Sequence, residues 1–304
     1  MRAIQNYTTD TMQKQFATEV IPVRIALIAD VHSNLPALEA VLTDIRRHHP
    51  DRIVSLGDQV NLGPSPRETM ALLQSEGVTC LHGNHERYIL SAMAGDPAYA
   101  GANFESLRYN AARLTAQEIT LPMTLELENV MLCHAMPDDD RFPVFDETLA
   151  LPRLLERRFD RPTHILCGHG HNPTHIALGN LTVDSIGSVG CMDDGVPGTA
   201  PYAILTLDRG AVFLRPYAVG YDTGGLKRLF AHSGMAAYCP IMAHIICLQM
   251  QQNTDYLVGF VQRALARSRE RGEPCVSLAA WQETDAAFPW PDGVGTAAFW
   301  RGMD

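Results

Sequence analysis

The sequence lacks an excess of positive charge, paired cysteines and a long apolar run. Its 24 Lys and Arg face 34 Asp and Glu, which gives a formal net charge of −10. This balance disfavours long DNA or RNA as a partner, because nonspecific affinity for nucleic acids depends on clustered cations. The seven cysteines form no CxxC pair, so neither a disulfide framework nor a zinc knuckle is indicated.

The sequence also shows no pattern of a membrane-spanning segment or of an export signal. The longest apolar stretch, at 241–250, is interrupted by His244 and falls far short of the ~20 residues that cross a bilayer. The first twenty residues are polar and lack the apolar segment of a secretory signal. We therefore expect a cytoplasmic protein with no membrane partner.

What the chain does contain is material for a packed core, since 46% of its residues are hydrophobic and 19% charged. From Val23 onward, short apolar runs alternate with helical patterns, which is typical of βαβ units. Hairpin signals follow, with turns at Glu128-Asn129, Gly179-Asn180 and Asp208-Arg209-Gly210. The sequence predicts an α/β protein with two packed mixed sheets flanked by helical layers.

The strand patterns stop near Tyr221. Asn253 or Thr254 is predicted to cap a helix, and that helix has its apolar positions on one face, at Leu257, Val261, Ala264 and Leu265. We divide the chain into an N-terminal tail (1–22), a domain (23–220) and a mainly helical C-terminal extension (221–304). An isolated helix is marginal in water, so the extension should pack on the domain or form a homo-oligomer.

Five fragments place metal-binding side chain types at or just after the ends of strand-like runs, where α/β folds assemble their sites. Imidazoles suit transition metals, a carboxylate can bridge two cations, and an amide oxygen is a neutral ligand. One fragment alone is weak evidence, since a pair such as His169 and His171 is more often a polar loop. The fragments are Asp30-Val31-His32, Gly57-Asp58, Gly83-Asn84-His85, His134 and Gly168-His169-Gly170-His171.

The ordered series D-x-H, G-D, G-N-H-E, H and G-H-x-H resembles the calcineurin-like metallophosphoesterases. The surrounding segments ADVHSNLPALEAVLTDI and GDQVNLGPSP are similar to the small bacterial phosphodiesterase branch of that family. The resemblance covers roughly residues 23 to 220. Two positions depart from the family pattern, Gly170 where Thr is usual and Ala135 where Gly is common, and neither departure removes a ligand.

The resemblance implies a four-layer αββα sandwich and a dinuclear metal site. Manganese is the preferred metal, and iron and zinc are alternatives, because N/O ligation selects weakly among them. His85 matches the family's substrate-facing histidine, either as a general acid or as a stabiliser of phosphoryl charge. One metal would be held by Asp30, His32, Asp58 and His171, and the other by Asp58, Asn84, His134 and His169.

The implied reaction is hydrolysis of a small phosphodiester by a hydroxide that bridges the two metals. Alternatives are a phosphomonoesterase, including a protein phosphatase, and a non-catalytic scaffold of the same fold. Protein phosphatases of the superfamily carry arginines inside GDxxDRG and just before GNHE, where this chain has Leu62 and His82. Because guanidinium groups match dianionic phosphates, their absence favours diesters. Arg67 and Arg87 lie near the motifs and could still enter the pocket.

Overall fold

The computed structural model describes residues 22–141 and 163–303. Ten strands run through this part of the chain. In chain order they are β1 (Val23–Ile28), β2 (Arg52–Ser55), β3 (Thr79–Cys80), β4 (Thr124–Leu127), β5 (Val130–Cys133), β6 (His164–Cys167), β7 (Thr174–Leu178), β8 (Leu181–Ser185), β9 (Thr199–Asp208) and β10 (Ala211–Gly220).

The strands form two five-stranded mixed sheets, in the orders β10-β9-β1-β2-β3 and β4-β5-β6-β8-β7. The strands β1, β2 and β3 pair in parallel, as do β5, β6 and β8. The predicted hairpins β4-β5, β7-β8 and β9-β10 are all present. Glu128, Gly179 and Gly210 occupy their turns with positive φ, the conformation that tight hairpin turns require.

Helices cover the sheets and make up the C-terminal part of the chain. In the described ranges, none of them is both long and apolar enough to cross a membrane. In chain order the α-helices are α1 (Leu35–Ile45), α2 (Pro66–Ser75), α3 (Asn84–Met93), α4 (Glu105–Ala111), α5 (Ala116–Ile119), α6 (Leu226–His232), α7 (Met235–Tyr238), α8 (Pro240–Gln252), α9 (Leu257–Glu270), α10 (Leu278–Ala287) and α11 (Thr296–Phe299).

Two apolar layers hold the sandwich together. Leu27, Val54 and Leu205 of the first sheet are buried with Leu132 and Leu166 of the second, since alternate strand residues point to opposite faces. On the outer face of the first sheet, Ile28 and Tyr202 pack with α1 through a second buried cluster. These layers confirm the predicted sandwich of two mixed sheets flanked by helices.

The C-terminal helices pack around α8, which is buried on nearly every side. Tyr221 ties this cluster to the domain, because its hydroxyl donates to the Met250 carbonyl and accepts from Asn34 Nδ2. Tyr109 of α4 donates to the Ser233 carbonyl. Strands end at Gly220 and helices follow, as predicted, while the division into a domain and an extension stays a prediction.

The predicted cap of α9 is wrong. Asn253 ends α8 in the left-handed conformation, with φ 47°, and its amide donates to the carbonyls of Val196 and Thr199. Asp255 caps α9 instead, through Oδ1, which accepts from the backbone N–H groups of Leu257 and Val258. Asn suits both ends of a helix and Asp suits the start, so a short connection between two helices has several possible caps.

A buried histidine in this helical region should make stability depend on pH. His244 is fully buried, and its ring stacks on Trp290 and Phe299 at centroid distances of 3.9 Å. Burial lowers the pKa of His244 to about 4, although Asp292 opposes the shift. Between pH 6.5 and 4 the unfolded chain therefore binds a proton that the folded chain does not, and stability falls by roughly 3 kcal/mol as pH drops.

We expect His244→Gln to flatten the loss of Tm between pH 7 and pH 4.5, measured by circular dichroism. The matched control is His232→Gln, at an exposed position, which should keep the wild-type slope. Parallel losses of Tm in wild type and in the His244 variant would contradict this assignment.

Candidate metal centre

All eight side chains singled out in the sequence converge at one end of the two sheets. Asp30 and His32 follow β1, Asp58 follows β2, and His134 follows β5. The remaining four come from the start of α3 and from the loop after β6: Asn84, His85, His169 and His171. Parallel strands end at the same sheet edge, so their loops meet there.

The loops that carry these residues are conformationally unusual. Five of the residues have φ between 50° and 63°: Asp30, His32, Asp58, His169 and His171. Residues other than glycine pay roughly 1–2 kcal/mol for this conformation, which persists where neighbouring structure enforces it. Backbone bonds between loops supply that enforcement, from Asp30 N to Gly57 O and from His32 N to Asp58 O, both 3.0 Å. Strain concentrated in one place is typical of a functional site.

Two glycines let the loops approach the carboxylates closely. A Cβ on Gly83 would collide with Asp58 Oδ1, and a Cβ on Gly168 would collide with Asp30 Oδ2. Backbone amides fill the space that glycine leaves, since His169 N donates to Asp30 Oδ2 at 2.9 Å and His85 N donates to Asp58 Oδ1 at 2.8 Å. The carboxylates are thereby fixed in orientation.

The first group of possible ligands contains Asp30, His32 and His171. The Nε2 atoms of the two histidines lie only 3.1 Å apart. Asp30 Oδ1 lies 3.9 Å from His32 Nε2 and 3.8 Å from His171 Nε2. Asp58 Oδ2 is 4.0 Å from His32 Nε2, so this carboxylate lies beside the group.

The second group contains Asp58, His134 and His169, with Asn84 among them. His134 Nε2 lies 3.2 Å from Asp58 Oδ2 and 2.9 Å from Asn84 Oδ1. His169 Nδ1 lies 2.9 Å from the same Asn84 oxygen and 3.2 Å from His134 Nε2. Asp58 is therefore the carboxylate within reach of both groups.

The hydrogen bonding of His134 suits metal binding. His134 Nδ1 donates to the Leu56 carbonyl at 2.9 Å, so Nε2 is the nitrogen that faces Asp58 and Asn84. With a cation bound, the deprotonated Nε2 of His134 would offer its lone pair as a ligand. Ligating histidines in metalloproteins are oriented by such bonds on the far ring nitrogen.

The electrostatics of the site also fit a bound cation. Burial raises the pKa of Asp30 to about 8, and burial lowers the pKa values of His169 and His171 to about 4. Burial would lower the pKa of His134 too, but the Asp58 carboxylate more than offsets it and raises the value to about 10. Divalent cations would stabilise the ionised carboxylates and the neutral imidazoles together.

A family model described as calcineurin-like phosphoesterase matches residues 23–195, more than half of the chain. The chain belongs to the calcineurin-like phosphoesterase family. An uncharacterised protein of Methanocaldococcus jannaschii is 30% identical to it over 156 residues, which are 49% of this chain and 63% of that protein. The match thus spans less than two thirds of the relative's length.

Solved structures support the same assignment. A metallophosphoesterase from Sphaerobacter thermophilus aligns with a TM-score of 0.59 at 25% identity, covering 75% of this chain and 99% of that one. A hypothetical protein from Pyrococcus horikoshii aligns with a TM-score of 0.56 at 17% identity, covering 77% and 99%. The second likeness shows a shared fold.

His85 lies at the edge of the candidate site. Its Nε2 is 3.8 Å from Asp58 Oδ2, and it forms a third possible ligand group with His32 and Asp58. Its Nδ1 accepts a hydrogen bond from Asn61 Nδ2 at 2.8 Å. Asn61 is itself fixed by Asn110 of α4, whose Oδ1 accepts from Asn61 N at 3.0 Å. Asn110 could not be predicted as part of the site, since nothing in the α4 pattern marks it.

Glu86, the last residue of the GNHE fragment, stabilises the loop after β2 and the start of α3. Its carboxylate is fully buried. Oε2 accepts from the N–H groups of Asp58 and Gly83, at 3.0 and 2.9 Å, and Oε1 accepts from those of Gln59 and Val60, at 2.9 and 3.3 Å. Burial, reinforced by Asp58, raises the pKa of Glu86 to about 7. The sequence marked this residue as part of a motif without assigning it a role.

The two arginines near the motifs are both engaged by protein groups. Arg67 Nε donates to the Arg113 carbonyl at 3.3 Å. Arg87 Nε donates to both carboxylate oxygens of Asp140, at 3.1 and 2.9 Å. None of these bonds joins a guanidinium to the eight side chains of the candidate site.

Proposed function

We propose that the protein hydrolyses small phosphodiesters at a dinuclear metal centre. The observation that carries this proposal is the meeting of two ligand groups at Asp58, whose Oδ2 lies 3.2 Å from His134 Nε2 and 4.0 Å from His32 Nε2. A carboxylate shared by two imidazole groups is suited to bridging two cations.

The proposed ligands follow the two groups. Asp30, His32, Asp58 and His171 would hold one cation, and Asp58, Asn84, His134 and His169 would hold the other. Mn²⁺ is the proposed metal, and Fe or Zn would fit the same nitrogen and oxygen donors. Bound there, two cations would activate water and neutralise charge on the phosphoryl oxygens.

Proton transfer and part of the charge stabilisation are assigned to a side chain of the protein. His85 has Nδ1 occupied by the Asn61 amide, so its Nε2 carries the proton and faces Asp58. In this tautomer it can donate a hydrogen bond to a phosphoryl oxygen or a proton to the departing alkoxide. Asn61 keeps the ring in that tautomer and orientation.

Charge favours diesters as the substrate class. Two divalent cations with Asp30 and Asp58 leave about +2 in the site, which a hydroxide and a singly charged diester together neutralise. A monoester near neutral pH approaches two negative charges and calls for an additional cation. Arg67 and Arg87, the candidates for that cation, are bonded to protein groups.

The test is metal analysis of the purified protein, followed by hydrolysis of matched aryl phosphates. We expect about two divalent cations per chain and a larger kcat/KM for the diester than for the monoester with Mn²⁺. A panel of cyclic nucleotides, dinucleoside polyphosphates and other small diesters would then identify the substrate. A higher kcat/KM for the monoester would favour the phosphomonoesterase, and metal binding without turnover would favour a scaffold.

A further inference from the structure

The helix that carries His85 also carries one partner of an ion pair. Arg87, two residues further along α3, donates through Nε to both oxygens of Asp140, at 3.1 and 2.9 Å. The rest of its guanidinium lies over the Tyr88 ring, 4.7 Å from the centroid. The Asp140 side chain is 6% exposed and the Arg87 side chain 32%, so the carboxylate is shielded from solvent and the guanidinium only in part.

The pair is close enough to affect the catalytic region. The Tyr88 ring that supports Arg87 lies 5.5 Å from the His85 ring. Burial lowers the pKa of His85, and the charges of His134 and Arg87 add to the effect. Asp140 Oδ2 also lies 3.6 Å from His82 Nε2, and His82 directly precedes the Gly83-Asn84-His85 fragment. Asp140 thus contacts two side chains that flank this fragment.

Arg87 is not fully satisfied by Asp140. Its Nη2 is buried and has no hydrogen-bond partner among the described residues. A guanidinium with free Nη groups can bind a phosphate through two parallel bonds. Asp140 accepts the hydrogen bonds of Arg87 Nε, and its negative charge offsets the positive charge of the guanidinium. The pair therefore adds no net charge beside the site.

We propose that Asp140 is a specificity-determining residue, which neutralises Arg87 and thereby disfavours dianionic monoesters relative to singly charged diesters. This inference rests on the proposed phosphoesterase function and assigns part of its substrate preference to one ion pair. The proposed effect depends on charge, so the direction in which each substitution changes the preference between monoester and diester can be stated in advance.

The test compares wild type, Asp140→Asn, Arg87→Gln and the double variant. The readout is the ratio of kcat/KM for an aryl monoester to that for the matched diester, at saturating Mn²⁺. Asp140→Asn keeps an acceptor for Nε and leaves Arg87 unneutralised, so the ratio should rise by about tenfold. Arg87→Gln leaves Asp140 unneutralised, so the ratio should fall by a similar factor. The double variant restores a neutral pair and should return the ratio close to the wild-type value.

Controls separate charge from structure. Asp138→Asn makes the same change of charge at an exposed position of the same loop and should change the ratio by less than twofold, since exposed charges are screened. Metal content and Tm are measured for every variant. If Asp140→Asn folds poorly, the opposite shift expected of Arg87→Gln still tests the proposal.

Two results would overturn the inference. One is a ratio within twofold of wild type in both single variants. The other is an equal loss of activity toward both substrates, which is the result of a purely structural pair. A wild-type enzyme that prefers monoesters would instead refute the proposed diesterase function, and the shifts in ratio between variants would still report on Asp140.

Discussion

Replacing His85 by alanine should lower kcat by roughly 10²-fold or more while leaving the metal content nearly intact. In our proposal His85 faces the substrate and Asp58, whereas the metals are held by the other seven side chains. Removing its imidazole deletes a proton or hydrogen-bond donor from the reaction and leaves both ligand groups complete. Elemental analysis of the purified variant, alongside steady-state kinetics on the aryl diester, measures both effects.

His134→Ala is the matched comparison, because it removes an imidazole from the same site. His134 lies within 3.2 Å of Asp58, Asn84 and His169, so its loss should lower metal content as well as kcat. Equal metal loss in the two variants would show that His85 is a ligand and would reject the division of roles.

The sequence predicted the two-sheet fold, and it also marked the eight side chains that the structure brings together, whose roles stay a prediction. Five fragments at strand ends were enough to predict that the eight side chains lie close together, because parallel strands direct their ends to the same side, and they meet at one end of the two sheets. Asp30 and Asp58 follow the neighbouring parallel strands β1 and β2, and backbone bonds between their loops complete the arrangement. The two-sheet sandwich followed from similar patterns, since buried strands and hairpin turns leave clear signals.

Contacts between distant side chains left no such signal. Asn61 and Asn110 are 49 positions apart and Arg87 and Asp140 are 53 apart, and each pair depends on where a helix or loop finally packs. Arg87 was predicted as a group that could enter the pocket, and the structure pairs it with Asp140 instead. The cap of α9 was wrong for a related reason, since tertiary bonds to Val196 and Thr199 hold Asn253 at the end of α8.

The positive φ values of the site loops are a source of backbone strain, which the protein must offset with stabilising contacts. Asp30, His32 and Asp58 keep a strained backbone, which requires bonds that fix the loops from outside the ligand groups. Glu86 provides four of these bonds, from Asp58, Gln59, Val60 and Gly83. The loop that carries the shared carboxylate is thereby joined to the start of α3.

Glu86→Gln should therefore destabilise the protein strongly, although it changes one atom. A glutamine keeps one acceptor oxygen for two of the N–H groups and turns an amide N–H₂ toward the other two. An unsatisfied buried donor costs about 1–3 kcal/mol, so we expect a loss of roughly 2–5 kcal/mol, a large part of the stability of a typical domain. The free energy of urea unfolding of the metal-free protein measures the effect.

Glu118→Gln is the control, because Glu118 makes the same kind of capping contact at an exposed helix start. Its Oε2 accepts from the Thr115 N–H at 2.7 Å, where water can replace the bond, so the variant should lose less than about 1 kcal/mol. Metal content separates the consequences further: Glu86→Gln should bind metal more weakly because the Asp58 loop is released, and Glu118→Gln should bind it as wild type does. Similar small losses in both variants would mean that the loops hold their strained conformation without Glu86.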